Sequence, residues 1–211
     1  MTYTLYLSPS TASMAVHWAL IELGAPFETV SLDIAIGDQR DPAYLKLNPM
    51  GRVPTLVADG QPYIESTALL MLLAERHPEA GLAPPPGDPR RAKWLETMVW
   101  LANNLQSAQR DWFYADKDGD PSGAPAVRDL ARRRIEAAWP RLAGQLAGGD
   151  AFLFGDTPGV ADFLAAMLMR WSRNMPHPAN EQPALAAYLA RMGALPSYAE
   201  LCRREELTPW P

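Results

Sequence analysis

Asn48-Pro49-Met50-Gly51-Arg52-Val53-Pro54-Thr55-Leu56-Val57-Ala58-Asp59-Gly60-Gln61-Pro62-Tyr63-Ile64-Glu65-Ser66 is the stretch that decides the fold. Pro54 pushes Val53 into an extended conformation. A proline cannot donate to a ladder, so it marks the way into a strand. Residues 55–58 and 61–64 read as two short strands around Asp59-Gly60, a dipeptide suited to the positive φ angles of a two-residue hairpin turn. Residues 66–76 then carry a helical pattern, with Ser66 available as its cap and Pro78 as its stop.

Upstream, residues 2–7 are rich in Thr and Tyr with apolar alternates and read as a strand. Residues 14–23 are apolar on several faces and stop at Gly24, with Pro26 just beyond, which predicts a largely buried helix. Residues 27–32 read as a second strand. Asp41-Pro42 supplies an N-cap acceptor and an N1 proline for a short helix ending before Pro49. The order β-α-β-α-β-β-α requires one parallel pair and one antiparallel hairpin, hence a mixed four-stranded sheet with helices on its faces.

Downstream, Ala83-Pro84-Pro85-Pro86-Gly87-Asp88-Pro89 is a stiff linker. Asp88 is placed to cap a helix with Pro89 at N1. All that follows reads as helix: 90–112, a polar loop over 116–125, 127–146 with a bend at Pro140, then 161–171, 185–192 and 197–205. The expected domains are an α/β domain over 1–77, a linker over 78–88 and an all-helical domain over 89–211.

Composition narrows the function. In 211 residues, 19 Lys and Arg stand against 24 Asp and Glu, a formal net charge of −5. That argues against nucleic acid as a partner, which needs a basic face. One cysteine, Cys202, excludes a disulfide framework and any multi-cysteine metal site. The three histidines, His17, His77 and His177, have no metal-ligand spacing. No metal is expected. The first basic residue is Arg40, so no basic leader precedes an apolar stretch. The run 163–169 is far shorter than the ~20 residues that span a bilayer. A cytoplasmic location without a membrane partner is the expectation.

Three local features carry chemistry. Ser8-Pro9-Ser10-Thr11-Ala12-Ser13 lies between the first strand and the first helix. The unpaired N–H groups and dipole of a helix start can hold an anion, and hydroxyls at Ser10, Thr11 and Ser13 add donors. Ordinary N-capping is the plain alternative. At Val53-Pro54, an extended residue outside a ladder can pair with an extended peptide ligand. An edge-strand proline is the plain alternative. The bond is cis in only ~5–6% of X–Pro cases, so the sequence leaves the isomer open. At Glu65-Ser66-Thr67, a carboxylate and a hydroxyl beside a helix start can receive the ammonium and carboxylate of an amino-acid zwitterion. Capping alone is again the alternative.

In that order and spacing, Ser10 with Thr-Ala-Ser, Asn48-Pro-Met-Gly-Arg-Val-Pro54 and Glu65-Ser66 resemble the glutathione S-transferase superfamily. Phe152-Leu-Phe-Gly-Asp-Thr-Pro-Gly-Val-Ala-Asp162 resembles the turn and core-helix motif of that family's helical domain. The resemblance covers essentially the whole chain and implies a thioredoxin-like first domain. It implies that Val53 binds the cysteinyl part of glutathione through its main chain with Pro54 cis, that Glu65 and Ser66 bind the γ-glutamyl end, and that Arg52 lies beside them.

Ser10 stands where serine-type bacterial members keep their activating hydroxyl, with Ser13 and Thr11 as fallbacks and Tyr6, on the preceding strand, after them. Ala12 replaces the cysteine of the cysteine-type class. The helix cap usually given by Ser or Thr falls on Gly159, which has no side-chain acceptor. The implied activity is conjugation of glutathione thiolate to a hydrophobic electrophile held between domains, with Trp112 and Tyr114 lining the pocket, in a homodimer. The alternatives are a non-catalytic ligand-binding or protein-interaction member, and a glutathione-dependent isomerase or dehalogenase.

Overall fold

The structure, a computed structural model, describes residues 2–118 and 120–210. Two compact units divide the chain. One runs up to Ala83 and takes in Ala194–Pro209, and the other holds Pro84–Gly193 with Trp210.

The first unit is built on a four-stranded sheet. Its strands are β1 (Tyr3–Leu7), β2 (Phe27–Ser31), β3 (Thr55–Ala58) and β4 (Gln61–Tyr63), in the order β2-β1-β3-β4. β1 pairs parallel to β2 and antiparallel to β3, and β3 pairs antiparallel to β4. This is the mixed sheet of a thioredoxin-like domain. Alternation along β1 buries Tyr3, Leu5 and Leu7. The hairpin turn has φ of 51° at Asp59 and 80° at Gly60, as the dipeptide predicts.

Helix α1 (Ser13–Leu23) is buried along its first eight residues and ends on Gly24 in the left-handed conformation. Helix α2 (Pro42–Leu45) starts where Asp41 accepts the Ala43 N–H at 2.7 Å. Helix α3 (Ser66–Arg76) buries Leu69, Leu70 and Leu73. One sequence expectation changes here: Glu65, not Ser66, occupies the cap position, and Ser66 is the first residue of the helix.

The second unit is helical. Helix α4 (Arg91–Trp100) continues through a π-helical segment (Leu101–Gln106) into α5 (Ser107–Tyr114). The helix starts two residues later than the sequence suggests. The Asp88 carboxylate accepts the Arg90 N–H at 2.7 Å and is also bound by the Arg90 guanidinium, which holds its pKa down at about 2.

Helices α6 (Ala124–Glu136) and α7 (Ala138–Leu146) break at Ala137 rather than at Pro140. Pro140 falls in the first turn of α7, where no N–H is needed, so it is tolerated without a bend. Helix α8 (Val160–Trp171) is buried from Val160 to Arg170 and forms the core of this unit. Helix α9 (Pro183–Gly193) follows.

The last helix, α10 (Pro196–Glu205), packs against α1 and clusters with the first unit. The Trp18 indole N–H donates to Ser197 Oγ at 2.9 Å, and the Trp18 and Tyr198 rings lie 4.9 Å apart. The compact units and the domains expected from the sequence are therefore different divisions of the chain at its end.

Candidate functional site

Sheet topology brings the three sequence features to one end. β1 runs toward that end and leads into the Ser8–Ser13 turn. β3 is antiparallel to β1 in the register Tyr6↔Thr55, so the Val53-Pro54 segment that precedes it lies at the same end. β4 is antiparallel to β3, so its exit toward Glu65 and Ser66 is there too. In the sheet order the three segments stand in a row, with the helix starts of α1 and α3 among them.

The Val53–Pro54 bond is cis. Val53 lies beyond the last β1–β3 register pair, so its main chain is outside the ladder. The preceding carbonyl is gripped from below. Tyr44 Oη donates to the Arg52 carbonyl oxygen, and Asn48 Nδ2 donates to it at 2.7 Å. Both groups also meet Thr55 Oγ1, at 2.8 and 3.1 Å. Asn48 Oδ1 accepts the Met50 N–H at 3.0 Å.

Burial raises the Tyr44 pKa, so its hydroxyl stays a donor. Gly51 is required here: its φ is 58°, and a Cβ would come within 2.9 Å of Arg40 Nη1 and 3.0 Å of the Gln39 carbonyl oxygen. Tyr44, Asn48 and Thr55 hold this turn together, a role the sequence alone did not indicate. The one available signal was a polar residue, Asn48, directly before Pro49 and three before Gly51.

The Ser8–Ser13 turn sorts its hydroxyls. Thr11 Oγ1 and Ser13 Oγ donate to the Ser8 carbonyl oxygen at 2.7 and 2.9 Å, and the two hydroxyls are 2.9 Å apart. Ser13 Oγ also accepts the Ser8 N–H at 3.2 Å, and Ser13 is fully buried. Ser10 is half-buried, with φ of 60°. Ala12 precedes α1 without a side-chain cap. Tyr6 packs its ring 5.5 Å from that of Tyr44.

Two residues from elsewhere complete the turn. The Ser10 N–H donates to Glu205 Oε2 at 2.9 Å, and His17 Nδ1 lies 2.8 Å from Glu205 Oε1. Glu205 and His17 are both buried, and the edge of the His17 ring meets Phe27 at 5.6 Å. Nothing in the sequence ties residue 205 to residues 10 and 17.

At the start of α3, Glu65 is exposed with φ of 70° and ψ of 103°, and makes no side-chain cap. The Leu69 N–H donates to the Glu65 carbonyl oxygen at 2.9 Å, which leaves the first N–H groups of α3 outside the intrahelical pattern. Ser66 is buried and the Arg52 side chain is exposed. Four non-glycine residues among those described have positive φ: Ser10, Asp59, Glu65 and Glu206. Asp59 forms the hairpin and Glu206 ends α10. The other two belong to the candidate site. Backbone held off its preferred regions points to function.

Trp112 and Tyr114 lie on α5 in the helical unit, both half-buried. The Tyr114 ring is covered by cations, with the Arg110 guanidinium 4.5 Å and Lys117 Nζ 5.3 Å from its centroid. Arg132, Arg133 and Arg134 pair with Asp129, Glu136 and Asp111, as a solvated helix face would. No group of His, Cys, Asp and Glu among the described residues is arranged to hold a metal, and no described helix is long and apolar enough to cross a membrane.

Comparison with known proteins shows the family and the fold. The family described as "Glutathione S-transferase, N-terminal domain" matches residues 3–81, and "Glutathione S-transferase, C-terminal domain" matches residues 125–191. The chain is 29% identical over 195 residues to glutathione S-transferase GST-4.5 of Xanthomonas campestris, covering 89% of this chain and 91% of that one. It is 32% identical over 172 residues to maleylacetoacetate isomerase of Pseudomonas aeruginosa, covering 76% of this chain and 75% of that one. Among solved structures, a glutathione transferase homolog from Sulfitobacter with bound glutathione superposes with a TM-score of 0.88 at 26% identity, over 98% of this chain and 99% of that one.

Proposed function

Because the chain belongs to the glutathione S-transferase family, we propose that it binds glutathione at the sheet end described above and joins its thiolate to a hydrophobic electrophile. The observation that carries this reading is the alignment, at one end of the sheet, of the α1 start, the Val53 main chain and the α3 start. A tripeptide needs three kinds of partner, and that row offers them. Val53 supplies main-chain groups for the cysteinyl residue. Glu65 and Ser66, with the first N–H groups of α3, supply a carboxylate and donors for the γ-glutamyl zwitterion. Arg52 is an exposed cation beside them.

The thiol needs activation. A free thiol has a pKa near 8.5, and lowering it to about 7 takes about 2 kcal/mol. A hydroxyl donating to the sulfur contributes ~1.5–3 kcal/mol as a bond to a charged group. A helix N-terminus adds ~0.3–1 kcal/mol. Ser10 is the donor we assign. Ser13 is buried and, like Thr11, spends its hydroxyl on the Ser8 carbonyl. In the reaction the thiol proton leaves to solvent. The thiolate sulfur then forms a bond to the electrophilic carbon, and the leaving group departs with the bonding pair. Trp112 and Tyr114 are assigned to the electrophile side, and a homodimer is part of the same proposal.

A thermal melt with glutathione tests the binding step. At 100 times Kd the folded state should gain ~2.7 kcal/mol. A melt that ignores glutathione rejects the reading. A shift without turnover of any test electrophile supports the binding-only alternative.

The Pseudomonas aeruginosa relative favours a second reading, glutathione-dependent isomerisation. The same thiolate would then add reversibly to an activated double bond and be released unchanged. Mass balance separates the two: conjugation consumes glutathione and isomerisation does not.

A further inference from the structure

We propose that Glu205 is a positioning residue for the turn that carries Ser10: it holds the Ser10 main chain in its left-handed conformation and so fixes where the hydroxyl lies. The inference rests on the assignment of Ser10 made above.

Left-handed backbone is disfavoured for any residue with a Cβ. It persists only where the surroundings over-determine it. Here the Ser10 N–H donates to a side-chain oxygen that is fully buried, a bond with no water to compete for it. The other carboxylate oxygen is taken by His17 Nδ1 at 2.8 Å, so the acid is oriented from two sides.

Glu205 does not serve its own helix. It is the last residue of α10, where the helix dipole disfavours an anion, and burial disfavours one further. The arginines of that last turn, Arg203 and Arg204, are bound to Glu200. His17 bears a cost too, since its Nε2 is buried without a partner. Docking of α10 does not depend on this pair either, because Trp18, Ser197 and Tyr198 already join α10 to α1. Three locally unfavourable choices converge on one main-chain N–H. A local rule broken without local benefit is the mark of a functional position.

Two conservative variants separate reach from charge. Glu205→Gln keeps the length. Its amide oxygen can accept the Ser10 N–H while its NH2 donates to the other tautomer of His17. Glu205→Asp keeps the charge but is one methylene short. Each folded variant is titrated as its glutathione complex by thiolate ultraviolet absorbance, and assayed with a chlorodinitrobenzene.

For Glu205→Asp the bound-thiol pKa should rise and kcat should fall at least ~5-fold, while glutathione affinity changes less than ~3-fold. Glu205→Gln should stay within ~2-fold of the parent. Parental titration and kcat in both variants, whatever their melting temperatures, overturn the proposal in favour of a staple between helices. An impaired Gln variant beside an intact Asp variant overturns it in favour of charge. Ser10→Ala in the same series keeps the two levels apart. If it titrates like the parent, the serine assignment fails and this inference with it. If it is impaired while Glu205→Asp is parental, only the role of Glu205 fails.

Discussion

Two helix starts in this chain use an acid in opposite ways. At α8 the acid is local. Asp162, three residues into the helix, accepts the Gly159 N–H and the Leu153 N–H at 2.9 Å each, and the Tyr188 hydroxyl at 2.9 Å. Gly159, with an extended backbone, contributes no side chain. Both carboxylate oxygens of Asp162 are engaged, one by Leu153 and Tyr188 and the other by Gly159. At α1 the acid comes from residue 205 and binds the turn before the helix, while Ala12 leaves the helix start without a side-chain cap. One arrangement closes a core. The other stiffens a loop ahead of a helix whose first N–H groups, those of Ser13 and Met14, go to Thr11 Oγ1 at 3.4 Å and to the Thr11 carbonyl oxygen at 3.0 Å. The acid at α8 serves its own helix, whereas the acid at α1 serves a turn that belongs to the candidate site.

Removing the acid at α8 should have the largest effect on folding. Asp162→Ala takes the carboxylate from the Leu153 and Gly159 N–H groups and leaves the Tyr188 hydroxyl only the long 3.4 Å contact with the residue 162 carbonyl oxygen, a loss of roughly 3–5 kcal/mol. Urea unfolding reads it, and activity per folded molecule should be unchanged. Loss of turnover beyond the loss of folded protein would erase the contrast.

Titration of the same residue comes next. Burial, partly offset by the hydrogen bonds from Leu153, Gly159 and Tyr188, lifts the Asp162 pKa from 3.8 to about 6. The folded state therefore binds the proton more tightly than the unfolded chain. The stability this adds is full below pH ~3.8 and lost as the pH rises through ~6, about 3 kcal/mol in all. Parent and Asp162→Asn should differ in the slope of their urea midpoints between pH 4 and 7 by that order, because the amide carries no such linkage. Equal slopes would contradict the burial argument.

At α1 the expected effect is kinetic. Ser10→Ala should lower kcat/KM by ~10- to 100-fold, the loss of one hydrogen bond to a charged sulfur. Its pH–rate profile should shift to higher pH. A profile that does not move would return the role to Ser13 or Thr11.

The smallest effect sharpens the comparison. Gly159→Ser supplies the acceptor that α8 lacks and should add only a few tenths of a kcal/mol. The melting temperature would then rise by about 1 °C.

What was legible in the sequence was local. Gly24 ended α1, Asp59-Gly60 made the hairpin, and Asp41-Pro42 opened α2, because each acts within a turn of itself. The three site segments were legible for the same reason, and their meeting at one sheet end followed from element order. Long-range satisfaction was not legible. The grip of Tyr44 and Asn48 on the Arg52 carbonyl depends on the folded turn. The contacts of Glu205 with Ser10 and His17 span most of the chain. Pro140 misled because a helix boundary three residues upstream makes it harmless, and that boundary, at Ala137, has no sequence marker.

The seating of α10 on α1 has a consequence for biosynthesis. A ribosome makes Trp18 and His17 before the helical unit and Ser197, Tyr198 and Glu205 only after it. A nascent chain that has emerged through Ala83 holds the whole sheet yet shows an uncovered indole and an unmatched imidazole. N-terminal segments ordinarily fold first during translation. In this chain that segment must wait for α10, which follows the whole helical unit, before its interior is complete.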